Sequence, residues 1–214
     1  MVWTKAGSDS GITGFCFRPM IIIGLTGSIA MGKSKTAEMF VRLGIPMHDA
    51  DACVHAFMKK GGKAVKAIAT IFPDILENGG INRSKLSGIA LNNPSNLRKL
   101  EEILHPLVKE EERKFRQACQ RKRAKIAVLN IPLLFETASN KRCNLVVVAS
   151  APAFIQKQRV LNRIGMNETK LKTILAKQIP DWQKRQKADF IVQTGIGYRH
   201  SLRQVKRIIQ KCGK

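Results

Sequence analysis

A short apolar run over residues 21–25 leads into glycine-containing sequence, and beyond Lys33 the positions Met39, Phe40 and Leu43 return at helical spacing, which predicts a strand, a loop and a helix. A second strand fits residues 45–47, followed by the polar, acidic stretch 48–51. From Ala52 to about Gln120 no strand pattern emerges. Instead Val65, Ile68, Ala69 and Phe72, then Leu97, Leu100, Ile103, Leu104, Leu107 and Val108, mark amphipathic helices. Asn93 before Pro94 is a start signal for the longer one, a capping side chain with proline in the first turn. Strands resume at 126–131, 144–149 and 189–192. Between the last two, residues 154–164 and 169–179 read as helices separated by Gly165, with Pro180 closing the second. Alternating strands and helices imply an α/β fold whose mostly parallel sheet is covered on both faces. Within one unit over residues 20–214, the core takes about 20–51, 121–151 and 186–214, a helical insertion about 52–120 and a helical lid about 152–185.

Composition narrows the class. A chain of 214 residues with 44% hydrophobic content is long enough for one domain with a buried sheet and a smaller insertion. No stretch reaches the roughly 18–20 uninterrupted apolar residues of a membrane span, so no membrane role is expected. Cys16, Cys53, Cys119, Cys143 and Cys212 are odd in number and show no C-x-x-C spacing. They suggest reduced thiols and a cytoplasmic location rather than a disulfide framework or a zinc knuckle. Residues 1–19 lack both periodicity and the apolar core of a secretory signal, and read as a disordered extension before a fold that starts at Met20. Thirty-eight Lys and Arg against fifteen Asp and Glu give +23, an excess that attracts polyanions of any kind and that a solvated basic surface explains equally well.

The glycine loop carries the first chemistry. Gly27-Ser28-Ile29-Ala30-Met31-Gly32-Lys33-Ser34 matches G-x-x-x-x-G-K-[ST] at every fixed position, directly after one predicted strand and before a helix. Two glycines permit the tight path, successive N–H groups turn toward phosphate oxygens, and the helix N-terminus adds partial positive charge. Lys33 is placed to reach the β- and γ-phosphates of a nucleoside triphosphate, and the Ser34 hydroxyl to ligate magnesium, with Lys35 next in line. Asp49 and Asp51 follow the second strand, at the carboxyl edge of an open sheet and beside this loop. One carboxylate there can hold magnesium through water while the other accepts the proton of an attacking hydroxyl, and a solvated turn with a helix cap is the bland alternative.

The remaining motifs resemble those of the dephospho-coenzyme A kinase family, from about Met20 to the C-terminus and in the family's order. A D-x-D with a histidine four residues on stands at Asp49, Asp51 and His55, and an H-P motif at His105-Pro106. P-L-L-F-E stands at Pro132-Leu133-Leu134-Phe135-Glu136. A lid pattern stands at Gln156, Arg159 and Arg163, and Gln178, Pro180, Lys184, Ala188 and Asp189 complete the series. The chain departs from the family at Ala30, where a third glycine is common, at Asn130, where an acidic residue often stands, and at Gln193-Thr194, where Asp-Asn or Asp-Thr is usual.

The resemblance implies a three-layer P-loop fold with a five-stranded parallel sheet. It also implies transfer of a phosphoryl group from ATP, with Mg²⁺, to the ribose 3′-hydroxyl of dephospho-coenzyme A. Asp51 is then the base, Ser34 ligates the metal and Asp49 joins its outer shell, while Lys33, Arg159 and Arg163 hold the triphosphate. His55, His105, Leu134, Phe135 and Glu136 hold the acceptor together with Asp51. From spacing alone, the two histidines on helices fit packing as well as binding. Arg159 and Arg163, one turn apart, repel each other by a few tenths of a kcal/mol unless an anion lies between them. Other P-loop small-molecule kinases, of nucleotide or shikimate type, share the loop and lid but not the H-P and P-L-L-F-E elements. A nucleic-acid-stimulated ATPase finds no stacking aromatic cluster here, so no specific nucleic-acid partner is expected. Oligomeric state is not legible.

Overall fold

The computed structural model describes residues 20–91 and 93–213, and the extension expected over 1–19 lies outside the described residues. The elements follow as β1 (Ile21–Thr26), α1 (Lys33–Arg42), β2 (Met47–Asp49), α2 (Ala50–Met58), α3 (Val65–Ile71), β3 (Leu76–Glu77), β4 (Gly80–Ile81), α4 (Arg83–Leu91) and α5 (Pro94–Arg121). Then come β5 (Ile126–Asn130), β6 (Leu145–Ser150), α6 (Ala153–Leu161), α7 (Glu168–Ala176), α8 (Asp181–Gln186), β7 (Phe190–Gln193) and α9 (Tyr198–Gly213). Five strands form one parallel sheet in the order β2-β5-β1-β6-β7.

Burial alternates along β1 because successive side chains leave a strand on opposite faces. Ile23 and Leu25 join Met39 and Phe40 of α1 and Val205 and Ile208 of α9 in one core layer. Ile22 points the other way and packs with Leu129, Val148, Leu134 and Cys119. The helices between β2 and β5 enclose a further hydrophobic cluster that includes Phe57, Ile68, Ile75, Leu86 and Leu104. Helix α5 serves both: Leu100 and Leu104 belong to that cluster, Phe115 and Cys119 to the sheet. Pro106 lies inside this helix, at the changeover, and withdraws the N–H that would reach the carbonyl of Glu102.

Several boundaries differ from the sequence expectation for local reasons. Strand β2 starts at Met47 rather than 45 and takes in His48 and Asp49, because its register pairs Met47 with Val128 and Asp49 with Asn130. The β3–β4 hairpin was not expected, yet its turn residues Asn78 and Gly79, with φ of 50° and 76°, form the Asn-Gly pair that favours such turns. Helix α6 ends at Leu161, so Arg163 lies just beyond it, where its N–H bonds the Val160 carbonyl oxygen. Helix α7 ends at Ala176, since the residue before Pro180 is disfavoured from the helical region and the Ile179 N–H donates to Glu136 instead.

Candidate active site

All five parallel strands end along one sheet edge, at Thr26, Asp49, Asn130, Ser150 and Gln193, and the loop from Gly27 to Gly32 crosses it. A Cβ on Gly27 would stand 2.7 Å from the Ala149 carbonyl oxygen. Gly32 has φ +86°, and a Cβ there would meet Thr194 Oγ1 at 2.6 Å. Thr194 Oγ1 in turn donates to the Met31 carbonyl oxygen at 2.7 Å and holds the loop down. Met31 is buried, its Sδ accepting from the Ala151 N–H at 3.2 Å, and its own N–H donates to the Ser28 carbonyl oxygen at 3.1 Å, so this residue braces the loop from within. Ala30 sits at φ +58°, a left-handed conformation that costs a non-glycine residue about 1–2 kcal/mol.

Beyond the loop, Lys33 donates from Nζ to Asn130 Oδ1 at 2.8 Å, and Asn130 Nδ2 donates to Asp49 Oδ2 at 2.6 Å. The other oxygen of Asp49 caps α2 by accepting from the Ala52 N–H at 2.9 Å. Burial pushes the Lys33 ammonium below its usual range, and Asp51 and then Asp49 partly offset this. Asp51, on the first turn of α2, is exposed and forms no hydrogen bond or ion pair among the described residues. It lines a cavity of about 680 Å³ with the loop, Lys33, Ser34, Arg159 and Arg163. The same carboxylate lines a second space of about 570 Å³ with Ser34, Asp49 and Asn130, and a third of about 250 Å³ with Val54, His55, Arg83 and Leu100. Lys35 reaches the rim of the first cavity and pairs with Glu38 at 2.9 Å.

The lid grips the loop from both of its ends. Arg159 donates from Nη1 to the Ala30 carbonyl oxygen at 3.3 Å and to Thr194 Oγ1 at 3.1 Å, and from Nη2 to the Thr194 carbonyl oxygen at 2.7 Å. Gln156 Nε2 donates to the Ile29 carbonyl oxygen at 2.9 Å, while Gln178 Oε1 accepts from the N–H of the same Ile29 at 3.2 Å. Arg163 reaches the cavity without a side-chain partner among the described residues.

On the acceptor side the expected residues divide. His55 lines the 250 Å³ space, with Nδ1 at 3.4 Å from Arg83 Nη1. His105 is exposed on α5 and lines none of these cavities. Leu134, expected to touch the acceptor, does not: its side chain is fully buried in the core, and its carbonyl oxygen accepts from the Ser139 N–H at 2.8 Å. Phe135 packs partly against the same core, beneath Lys187 Nζ at 6.0 Å from its ring centroid. Glu136 is engaged elsewhere: Oε1 accepts from the Ile179 N–H at 2.9 Å and lies 2.8 Å from Nζ of the fully buried Lys184. Burial pushes this carboxyl up, but hydrogen bonds from Lys184 and from backbone N–H groups outweigh it and hold the pKa below the ordinary carboxylate value.

Comparison with known proteins decides the family, because a family model described as dephospho-CoA kinase matches residues 21–197. The chain belongs to the dephospho-CoA kinase family. A relative of that name from Brucella melitensis is 48% identical over 190 residues, covering 89% of this chain and 94% of its own. Another from Paramagnetospirillum magneticum is 52% identical over 166 residues, covering 78% of each. Among solved structures, TT1252 from Thermus thermophilus superposes with a TM-score of 0.78 at 27% identity, covering 91% of this chain and 98% of its own.

Set in the dephospho-CoA kinase family, the three departures from its usual pattern all fall on structural joints of the site. Ala30 accepts left-handed strain in place of a glycine, Asn130 bridges Lys33 to Asp49 as a neutral amide, and Gln193 directly precedes Thr194, which fastens both the loop and Arg159. Sequence reasoning named Gln156 and Gln178 without a role, and gave no signal at all for Arg83. Helix periodicity does not reveal which exposed arginine faces a cavity.

Proposed function

We propose that this chain transfers the γ-phosphoryl group of ATP to the ribose 3′-hydroxyl of dephospho-coenzyme A, giving ADP and coenzyme A. One observation supports this reading most: the unpaired Asp51 carboxylate stands on the wall shared by the loop's cavity and the space lined by His55 and Arg83. A general base has to touch both reactants, and a carboxylate with no protein partner keeps its lone pairs for a hydroxyl.

The donor atoms around the loop fit a magnesium–nucleotide complex. Ser34 Oγ, Asp49 and Asp51 are hard oxygen donors around one space, and among the described residues there is no cluster of three or more His, Cys, Asp or Glu side chains. That is the ligand set of Mg²⁺, which takes one or two protein oxygens and completes its shell from phosphates and water. When bound, the ion neutralises charge on the β- and γ-phosphates.

The chain's own residues supply positioning and charge. Lys33 presents a partly desolvated ammonium, steered by Asn130, to the transferring group. Arg159 and Arg163 line the same cavity from the lid side and offset the equatorial charge. Asp51 aligns the 3′-hydroxyl and takes its proton, Asp49 acts through water on the metal side, and His55 lies one helical turn beyond Asp51 along the acceptor. The lid excludes water, which otherwise competes as acceptor. Coupled ADP release with dephospho-coenzyme A as the only acceptor tests the reading. Turnover at least tenfold above ATP hydrolysis is expected, and equal rates with and without the acceptor refute it.

A further inference from the structure

The space beside Asp51 does not end at His55. His55, Met58 and Arg83 line the cavity of about 250 Å³ and also line a neighbouring one of about 270 Å³ on the far side, toward Lys59 and the β3–β4 hairpin. Asp51, His55 and Arg83 therefore mark one course leading away from the phosphate loop, first along α2 and then across to the start of α4. Asp51 and His55 are four residues apart on α2, a rise of about 6 Å. Farther along, the first cavity is walled by Leu86, Ala90, Leu97 and Leu100.

Arg83 is a cation on this course that forms no ion pair among the described residues. Among the described residues its one side-chain hydrogen-bonding contact is with His55 Nδ1 at 3.4 Å, which orients the guanidinium and supplies no negative charge. Glu77, which lines the neighbouring cavity with Arg83, is already engaged, by Lys85 Nζ at 2.5 Å and by Asn82 Nδ2 at 2.7 Å. Most of the five guanidinium N–H donors are thus left for a ligand, in a planar fork that matches two oxygens of a phosphate. An exposed arginine is by itself ordinary. What sets this one apart is its place on a wall shared by two cavities, one helical turn and one side chain from the base.

We infer that Arg83 binds the diphosphate of the acceptor, with the pantetheine arm passing along the apolar wall of Leu86, Ala90, Leu97 and Leu100. This rests on the proposed function. An acceptor that presents its 3′-hydroxyl to Asp51 carries its diphosphate on the 5′ carbon of the same ribose, so the anion lies across one furanose ring from the reacting oxygen. That offset is comparable to the rise from Asp51 to His55, where the Arg83 guanidinium stands. The diphosphate exists in both ground state and transition state, so its binding is uniform and belongs in KM rather than kcat.

The test uses Arg83→Gln and Arg83→Lys in the full chain, with steady-state kinetics at saturating MgATP. Adenosine, which carries the 3′-hydroxyl without the diphosphate, serves as a competitive inhibitor against dephospho-coenzyme A. Losing a charge-assisted pair should raise the dephospho-coenzyme A KM of Arg83→Gln by about 10- to 100-fold. Turnover should stay within about threefold, with the adenosine inhibition constant and the ATP KM unchanged, and Arg83→Lys should recover part of the loss. A merely structural role would move the adenosine and ATP constants in parallel, and that outcome overturns the inference. So does a dephospho-coenzyme A KM within twofold of the wild type. A wild-type enzyme that ignores dephospho-coenzyme A altogether overturns the functional reading first and this assignment with it.

Discussion

Replacing Asp51 with Asn should separate chemistry from architecture, because the structure gives this carboxylate no folding work. It is exposed at the start of α2 and holds no protein partner among the described residues, so Asp51→Asn should shift stability by no more than about 0.5 kcal/mol. Its effect on rate should be large. General-base assistance contributes about 10²- to 10⁴-fold, equivalent to about 2.7–5.4 kcal/mol of barrier at 1.36 kcal/mol per decade. Phosphoryl transfer proceeds through a loose transition state, so part of that loss comes from misorienting the hydroxyl rather than from late proton removal.

Asp49→Asn is the matched control with the opposite signature. Asp49 accepts from both the Ala52 N–H and Asn130 Nδ2, and an amide in its place sets one NH₂ against another. Relief by rotating Asn130 would turn that residue's NH₂ toward the Lys33 ammonium. One buried polar group therefore ends unsatisfied, at about 1–3 kcal/mol, and the lysine loses its guide. Single-turnover rates across a magnesium titration, with urea melts of both variants, read the two roles. Asp51→Asn should fold normally and fail at every magnesium concentration, whereas Asp49→Asn should melt earlier and recover turnover as magnesium rises. Turnover of Asp51→Asn within tenfold of the wild type, or the two patterns exchanged, refutes the assignment.

Ala30→Gly should relieve the left-handed strain at φ +58° at the cost of a more flexible unfolded chain, for a net gain of about 0.5–1 kcal/mol, seen as a rise in Tm of about 1–4 °C. A lower Tm would show that the loop prefers the alanine. Lys184→Met leaves Glu136 buried without its cation and should cost about 3–5 kcal/mol near neutral pH. The folded Glu136 pKa lies below its ordinary 4.5, so the pair's contribution is complete above that value and is lost as pH falls through the folded pKa. The gap between wild type and Lys184→Met should therefore narrow below about pH 4.5, and a gap constant from pH 4 to pH 8 in urea titrations would contradict this origin. Arg159→Ala removes three hydrogen bonds to Ala30 and Thr194 as well as a charge. It should lower kcat and raise the ATP KM while the dephospho-coenzyme A KM stays within about threefold, and a change confined to the acceptor KM would remove it from the phosphate site.

What the sequence made legible is what depends on short range. The phosphate loop is read from eight contiguous residues, and the parallel sheet from apolar runs whose faces are both covered, as Ile22 and Ile23 show by packing on opposite sides. Long-range partners escape such reading. Glu136 follows a strand at the site's edge and resembles an acceptor residue by motif. Only tertiary structure reveals that Lys184, distant along the chain, already holds it. Leu134 stands two residues earlier, where the chain turns back beneath β1, and the turn buries it. The β3–β4 hairpin was missed because its strands are two residues each, too short for alternation to register, although Asn78-Gly79 announces the turn.

The way the lid holds the loop follows from what the loop has to bind. Gln156 and Gln178 grasp the carbonyl oxygen and the N–H of the same residue, Ile29, from opposite ends of the lid. A carboxylate in either place would repel a triphosphate, and an added cation would compete for it with Lys33, Arg159 and Arg163, the phosphate ligands proposed above. An amide supplies one donor and one acceptor with no net charge, so the loop is fixed while the cavity's positive field is left to the ligand. The two bonds are also unequal. At 2.9 Å the bond to the carbonyl oxygen has ordinary length, whereas at 3.2 Å the bond from the N–H is at the long limit, and a phosphate oxygen makes a shorter, stronger bond to such a donor than a neutral amide does. Gln156 thus fixes the peptide from the side that no phosphate approaches, and Gln178 engages the one group of Ile29 that a charged acceptor would take in its place.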